Sequence, residues 1–227
     1  MIRVTEVLDY YTEPELLAWK LREGPAKCEK VSKEALQIGT VVDGYIKAKL
    51  QKEDYVLLSD NPAIFACMEA WEHFREDRPE LIEAITGIQT EVQKDEVIGH
   101  PDLEITQREP RPLMSTYTAL DEQPIRRWGI IDIKTSKAIQ PKYWTQVAAY
   151  WWLKGQQTPQ LSPFNSFIGI LRLDKQTGQY EYQEITDIQV LRYEVEVFQA
   201  YLTTYQHGQK IREVMRQLRE QEMLDVA

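Results

Sequence analysis

The stretch Gly129 to Ser136, GIIDIKTS, sets a carboxylate and an ammonium one residue apart at the end of an apolar run. On a strand alternate residues share a face, so Asp132 and Lys134 point the same way as Trp128 and Ile130. Ile131, Ile133 and Thr135 point the other way. Upstream, GHPDLE carries Asp102 and TEVQ carries Glu91, each in strand-like material. Strands ending at one edge would gather Glu91, Asp102 and Asp132, and three carboxylates so close repel one another unless a hard cation sits between them. Magnesium keeps several waters, so two carboxylates and the Ile133 carbonyl would suffice as protein ligands. A lysine beside such a centre orients or deprotonates a water and stabilises charge developing on a phosphate. Carboxylates, metal and lysine together are the apparatus of phosphodiester hydrolysis. A lone Asp-x-Lys pair on a strand is ordinarily an exposed ion pair, but Asp132 closes a run too apolar for a solvated edge.

The elements that must position these groups follow from periodicity and punctuation. PELLAWKLRE has helical apolar spacing, with Thr5 or Thr12 as caps for short early turns. Ser32 is expected to cap a longer helix whose apolar stripe is Leu36, Ile38, Val42, Ile46 and Leu50. A further helix is expected from about Asn61 to Arg78, with Pro62 in its first turn. GIQTEVQ and EVIGHPDLEI read as strands. Gln107 to Pro112 and the following LMSTYTALDEQPIRR read as a protruding hairpin or loop. After the GIIDIKTS strand, Pro141 opens a helix that Gly155 closes. FNSFIGILRLDK and QYEYQEITD are strands joined by the turn Gln176-Thr177-Gly178, and the chain is helical from Ile188. The predicted fold is α/β or α+β: a central mixed sheet of about five strands flanked by helices, in one domain over 1–227. Within it, 1–87 is a helical part, 88–186 the sheet core and 187–227 C-terminal helices.

Composition narrows the function. At 227 residues and 43% hydrophobic, the chain is long and apolar enough for a globular core. No apolar run approaches a membrane span and the N-terminus does not read as a signal peptide, so a cytoplasmic location and no membrane partner are expected. Cys28 and Cys67 are the only cysteines, too few for a disulfide framework or an iron–sulfur cluster. The net charge of −9 excludes a broad basic footprint, so contact with nucleic acid must come from local patches.

Gly99-x-x-Asp102, Asp132-Ile133-Lys134-Thr135 and Gln146-x-x-x-Tyr150, in that order, resemble the PD-(D/E)XK nuclease superfamily, most closely its RecB-type and phage exonuclease branch. Gln146 and Tyr150 are one helical turn apart and share a face, which in that family turns toward the active site. The segment ALQIGTVVDGYI is similar to an entry segment of phage nucleases, where Gly-Thr-x-x-His supplies a histidine ligand; here Asp43 stands in its place. The resemblance implies a restriction-endonuclease-like core. Its catalytic set would be Asp102, Asp132, Lys134, Glu91, Gln146 and Tyr150, and magnesium or manganese would be held by Asp102, Asp132, Ile133, Asp43 and Glu91. Arg108, Arg111, Arg126, Arg127, Lys137 and Lys142 lie near the motifs in sequence as candidate phosphate contacts, and Tyr143 and Trp144 as stacking partners or core residues. Expected, then, is a metal-dependent deoxyribonuclease acting on DNA ends in phage or bacterial replication, recombination or repair. A structure-specific endonuclease or junction resolvase, or a binding protein on a nuclease fold, are the alternatives. No P-loop pattern is present, so a helicase, like a recombinase or single-strand-binding partner, would be a separate chain.

Overall fold

The computed structural model describes residues 1–11, 14–109 and 125–225. Its centre is a five-stranded mixed sheet built from β2 (Ile85–Ile88), β5 (Leu103–Glu109), β6 (Ile125–Lys134), β7 (Ser166–Leu173) and β8 (Tyr180–Ile185), in that spatial order. β6 lies in the middle, antiparallel to β5 and parallel to β7. The parallel step is made by α6 (Pro141–Gln157), which crosses over between those two strands.

Alternation along β6 divides the core as its sequence dictates. Trp128 and Ile130, with Ile168 and Ile170 of β7, pack against Val147, Ala148 and Leu153 of α6. Leu191 and Phe198 of α7 (Ile188–Asp225) and Val4 and Val7 of α1 (Val4–Tyr10) close that layer. Ile131, with Phe167 and Leu171, faces the other way onto α3 (Pro25–Gln51) and α4 (Pro62–Asp77), whose Ile38, Val42, Trp71 and Phe74 are buried there. Helix α2 (Pro14–Glu23) precedes α3, and the short α5 (Pro79–Glu83) leads into β2. The chain is thus α+β, with a mixed five-stranded sheet between two helical layers, as its periodicity predicts.

Several boundaries differ from expectation. Helix α3 begins at Pro25 after a left-handed Gly24, so Ser32 lies inside it. Thr5 lies inside α1, whose N-terminus is held instead by the Arg3 N–H donating to the Glu6 carboxylate at 2.9 Å, and Thr12 lies outside the described residues. Leu36 leaves the apolar stripe and is 72% exposed. Gly155 does not close α6, which runs to Gln157 with Thr158 as its cap. The C-terminal region is one helix, α7, not several.

The two early strand segments are each broken. GIQTEVQ divides at Gln89, whose φ of 49° ends β2 before β3 (Val92–Lys94). EVIGHPDLEI divides between β4 (Val97–Gly99) and β5, where Pro101 has no N–H for a ladder. The freed pieces β3 and β4 join β1 (Ile2–Arg3) in a separate three-stranded sheet. Of the hairpin or loop expected from Gln107 to Arg127, residues 107–109 and 125–127 instead extend β5 and β6 as a paired ladder, and residues 110–124 lie outside the described residues.

Candidate active site

Antiparallel pairing puts Leu103 opposite Ile131, so Asp102, just before β5, emerges beside Asp132 near the end of β6. Asp102 Oδ2 accepts a hydrogen bond from the Ile133 N–H at 2.6 Å. Lys134 Nζ stands 2.5 Å from Asp132 Oδ2, an ion pair between a buried carboxylate and a partly buried ammonium. From α6, the Gln146 amide donates to Tyr150 Oη at 2.9 Å and reaches Asp132 Oδ1 at 3.4 Å. The ring of Tyr143 faces Lys134, 5.2 Å from Nζ to its centroid. Asp102, Asp132, Lys134, Gln146 and Tyr150 therefore form one cluster, with strand and helix each placing part of it.

The cluster is electrostatically strained. Burial, and then the Asp132 charge, push the Asp102 carboxyl up to about 8, against the pull of Lys134 and the Ile133 N–H. Burial opposes the Lys134 charge, but the Asp132 and Asp102 carboxylates outweigh it and raise the ammonium above the ordinary lysine range. Burial and the Asp132 charge raise the Tyr150 phenol as well, so it stays neutral.

Asp43, on α3, faces the same cleft of about 350 Å³, which Asp102, Ile133, Lys134 and Thr135 also line. Its carboxyl is raised by burial, against the hydrogen bond it accepts from Gln89 Nε2. Glu91 is placed apart from the cluster: its side chain is 55% exposed and lies 3.8 Å from His100 Nε2. The break at Gln89 explains this, since it carries β3 into the small sheet and away from β5. Among the described residues no three His, Cys, Asp or Glu side chains stand close enough together to hold a metal ion. The acidic ring expected from the sequence thus reduces to the Asp102 and Asp132 pair with Asp43 at its margin. That pair still suits a hard cation. Burial and the Asp132 charge push Asp102 toward its neutral form, which a bound cation would relieve, and magnesium needs few protein oxygens. Ile133 meets Asp102 through its N–H.

The basic residues divide. Arg108 lies opposite Arg126 in the β5–β6 ladder, at the far end of β6 from Asp132, about 20 Å away at about 3.3 Å per residue. Arg127 is at that end too, paired with Glu184 and stacked over Phe167. Sequence proximity to the motif misplaces all three, because a strand carries its two ends apart. Arg111 lies outside the described residues. Lys137 and Lys142 stand at the site's end of the sheet, in the turn after β6 and in the first turn of α6. Trp144 packs on the core.

Two residues were missed. Gln89 holds Asp43 with its amide and, through its backbone N–H, the Asp102 carbonyl at 2.9 Å. Arg172 reaches the Ser136 and Lys137 carbonyls at 3.5 and 3.4 Å while paired with Asp174 and Glu181, and so pins the turn after Lys134. Nothing in their local sequence marks either one; both act across elements.

No family model matches the chain, and no curated protein does. Among solved structures, the crystal structure of SSO0001 aligns over 87% of this chain and 73% of its own, at 11% identity and a TM-score of 0.38. A likeness that loose carries no inference. No helix among the described residues is long and apolar enough to cross a membrane.

Proposed function

We propose that the protein is a divalent-metal-dependent nuclease that hydrolyses phosphodiester bonds in DNA from its ends. One observation carries this reading: Asp102, just before β5, meets the ion-paired Asp132 and Lys134 at the end of β6, beside a cleft that Asp102 and Lys134 line, and the buried Asp132 charge opposes ionisation of the half-buried Asp102. The resemblance of these motifs to PD-(D/E)XK nucleases supports it. Asp102 and Asp132 are the residues that would hold magnesium or manganese. When bound, such an ion polarises the phosphate and makes water a stronger acid. Lys134, kept charged by its neighbours, serves as a cation for the phosphate rather than as a base. Gln146 orients Asp132, and Tyr150 holds Gln146. Preference for ends follows from charge. At −9 the chain cannot grip a continuous duplex over a broad surface, whereas a frayed end enters the cleft without opening the helix.

The test uses matched linear and covalently closed circular DNA with magnesium or manganese, and Asp132→Asn as control. Progressive shortening of the linear form alone, absent in EDTA and in the variant, is expected. Equal nicking of the circle would replace the end-directed reading with an endonuclease. No cleavage of either would overturn the nuclease.

A further inference from the structure

Helix α7 turns only one of its faces to the body of the protein. Leu191, Val195 and Phe198 are buried in the core, with Leu202 and Tyr205 packed against it, all on one side at helical spacing. Beyond Tyr205 that side becomes polar, with Gln209, Arg212 and Arg216, and residues 209–221 are exposed throughout. The opposite side does the reverse. From Val190 a second apolar stripe steps by three and four residues through Tyr193 and Val197 to Ile211, Val214 and Leu218, and these six are 38% to 64% exposed. Ala200, Thr204 and His207 fill the positions between. The stripe continues, as Ile211, Val214 and Leu218, where the helix has left the core, so packing on the body does not account for it.

Steps that alternate three and four keep a 3.5-residue repeat over the four heptads from Val190 to Leu218. That repeat seats one helix against another along a straight seam. We propose that this face is a homodimer seam, in which the α7 helices of two copies pair antiparallel as a two-stranded coiled coil crossing at Thr203. The seam lies on a different element from the cleft and does not depend on the nuclease reading.

Charge selects a second copy and its direction. Glu196 directly precedes Val197 and Lys210 directly precedes Ile211, so both flank the stripe on one side, two heptads apart. Neither has an ion-pair partner among the described residues. Glu194, on the other flank, accepts a hydrogen bond from Thr145 Oγ1 of α6 at 2.6 Å. Arg192, Arg212, Glu213 and Arg216 fall at outer positions of the heptad; of these, Arg216 pairs with Glu213 and Arg212 stacks over Tyr10. Glu196 and Lys210 are about 21 Å apart along their own helix at 1.5 Å per residue, too far to meet. In a parallel pair they would face Tyr201 and Met215 of the second copy, neither of them charged. In an antiparallel pair Thr203, seven residues from each, brings Glu196 against Lys210 of the second copy, and two-fold symmetry makes that contact twice. The same register sets Ala200 against Thr204, so small residues meet where the helices cross.

The test is sedimentation equilibrium of the full chain over a micromolar to submillimolar concentration series. The wild type is expected to reach twice the mass of the chain. Ile211→Glu/Leu218→Glu, at positions exposed in the single chain, should stay monomeric and keep the near-ultraviolet spectrum of the folded body. Glu196→Lys and Lys210→Glu should each weaken association about ten-fold, since both symmetric pairs turn repulsive. The double variant Glu196→Lys/Lys210→Glu should restore the wild-type value. Such rescue can arise only between chains, because the two residues do not reach each other within one. A monomer at every concentration would overturn the proposal and leave the stripe to the helix of another protein. A dimer that survives Ile211→Glu/Leu218→Glu would overturn it too, as would single charge variants that have no effect or that the double variant does not rescue.

Discussion

At the scale of single residues, the informative fact is that burial and the neighbouring Asp132 charge raise the cost of ionising Asp102. With the Asp102 carboxyl raised above its unfolded value, the folded state binds the extra proton between the two values. Stability of the metal-free chain should therefore fall as pH rises from about 4 to about 8. Thermal melts in EDTA across that range check this, and Asp102→Asn should flatten the dependence. A slope of opposite sign would show that the two carboxylates do not share one buried site. Lys134 invites a second substitution. Because its ammonium faces the cleft beside Asp132, Lys134→Ala should lower turnover by at least about 100-fold, the scale of losing one charge-stabilising donor. Metal binding by calorimetry should persist, and near wild-type turnover would reduce Lys134 to an ion-pair partner.

Between elements, the site depends on contacts that no single segment contains. Gln89 joins α3 to the start of β5 by holding both Asp43 and the Asp102 carbonyl. Its φ of 49° is a conformation that favours glycine, so Gln89→Gly keeps the backbone and removes only the amide. Manganese affinity by calorimetry should drop about 10-fold, the lower end for a residue supporting a ligand, with little change in melting temperature. Unchanged affinity would leave Gln89 a purely structural turn residue. On the other side of the cluster, α6 lies so close to β4 that a Cβ on Gly99 would stand 2.5 Å from the Tyr150 ring. Gly99→Ala must therefore displace Tyr150 and its bond to Gln146. It should cost about 1–3 kcal/mol in chemical denaturation, as overpacking does, and lower activity along with stability.

Over the whole molecule, the sheet acts as a frame with a charged end. Helices α3 and α6 lie on its opposite faces, and each sends residues to the point where β6 leaves the core. A divalent ion bound between such layers would stabilise the folded chain in proportion to its occupancy. Manganese should raise the melting temperature of the wild-type protein in a concentration-dependent way. Asp102→Ala should abolish that shift, and a shift that survives the substitution would place the metal elsewhere.

The sequence by itself determined the sheet, the alternation of β6 and the helix that follows it, because each rests on local periodicity and on turn-forming residues. Asp132-x-Lys134 and Gln146-x-x-x-Tyr150 were legible for the same reason: spacing within a strand or a helical turn translates directly into a shared face. What only the tertiary structure decided is which of these faces meet. Glu91 was assigned to the acidic cluster from strand order, but the left-handed turn at Gln89 diverts its strand into a second sheet. Arg108, Arg126 and Arg127 were assigned from proximity along the chain, and the length of β6 carries them to its other end. Leu36 looked like core by its spacing, yet it stands exposed at the cleft while Ile38, Val42 and Ile46 are buried. Gln89 and Arg172 were invisible because their partners lie on other elements. Hydrogen bonds and charge pairing across elements depend on three-dimensional register, which one-dimensional spacing does not encode.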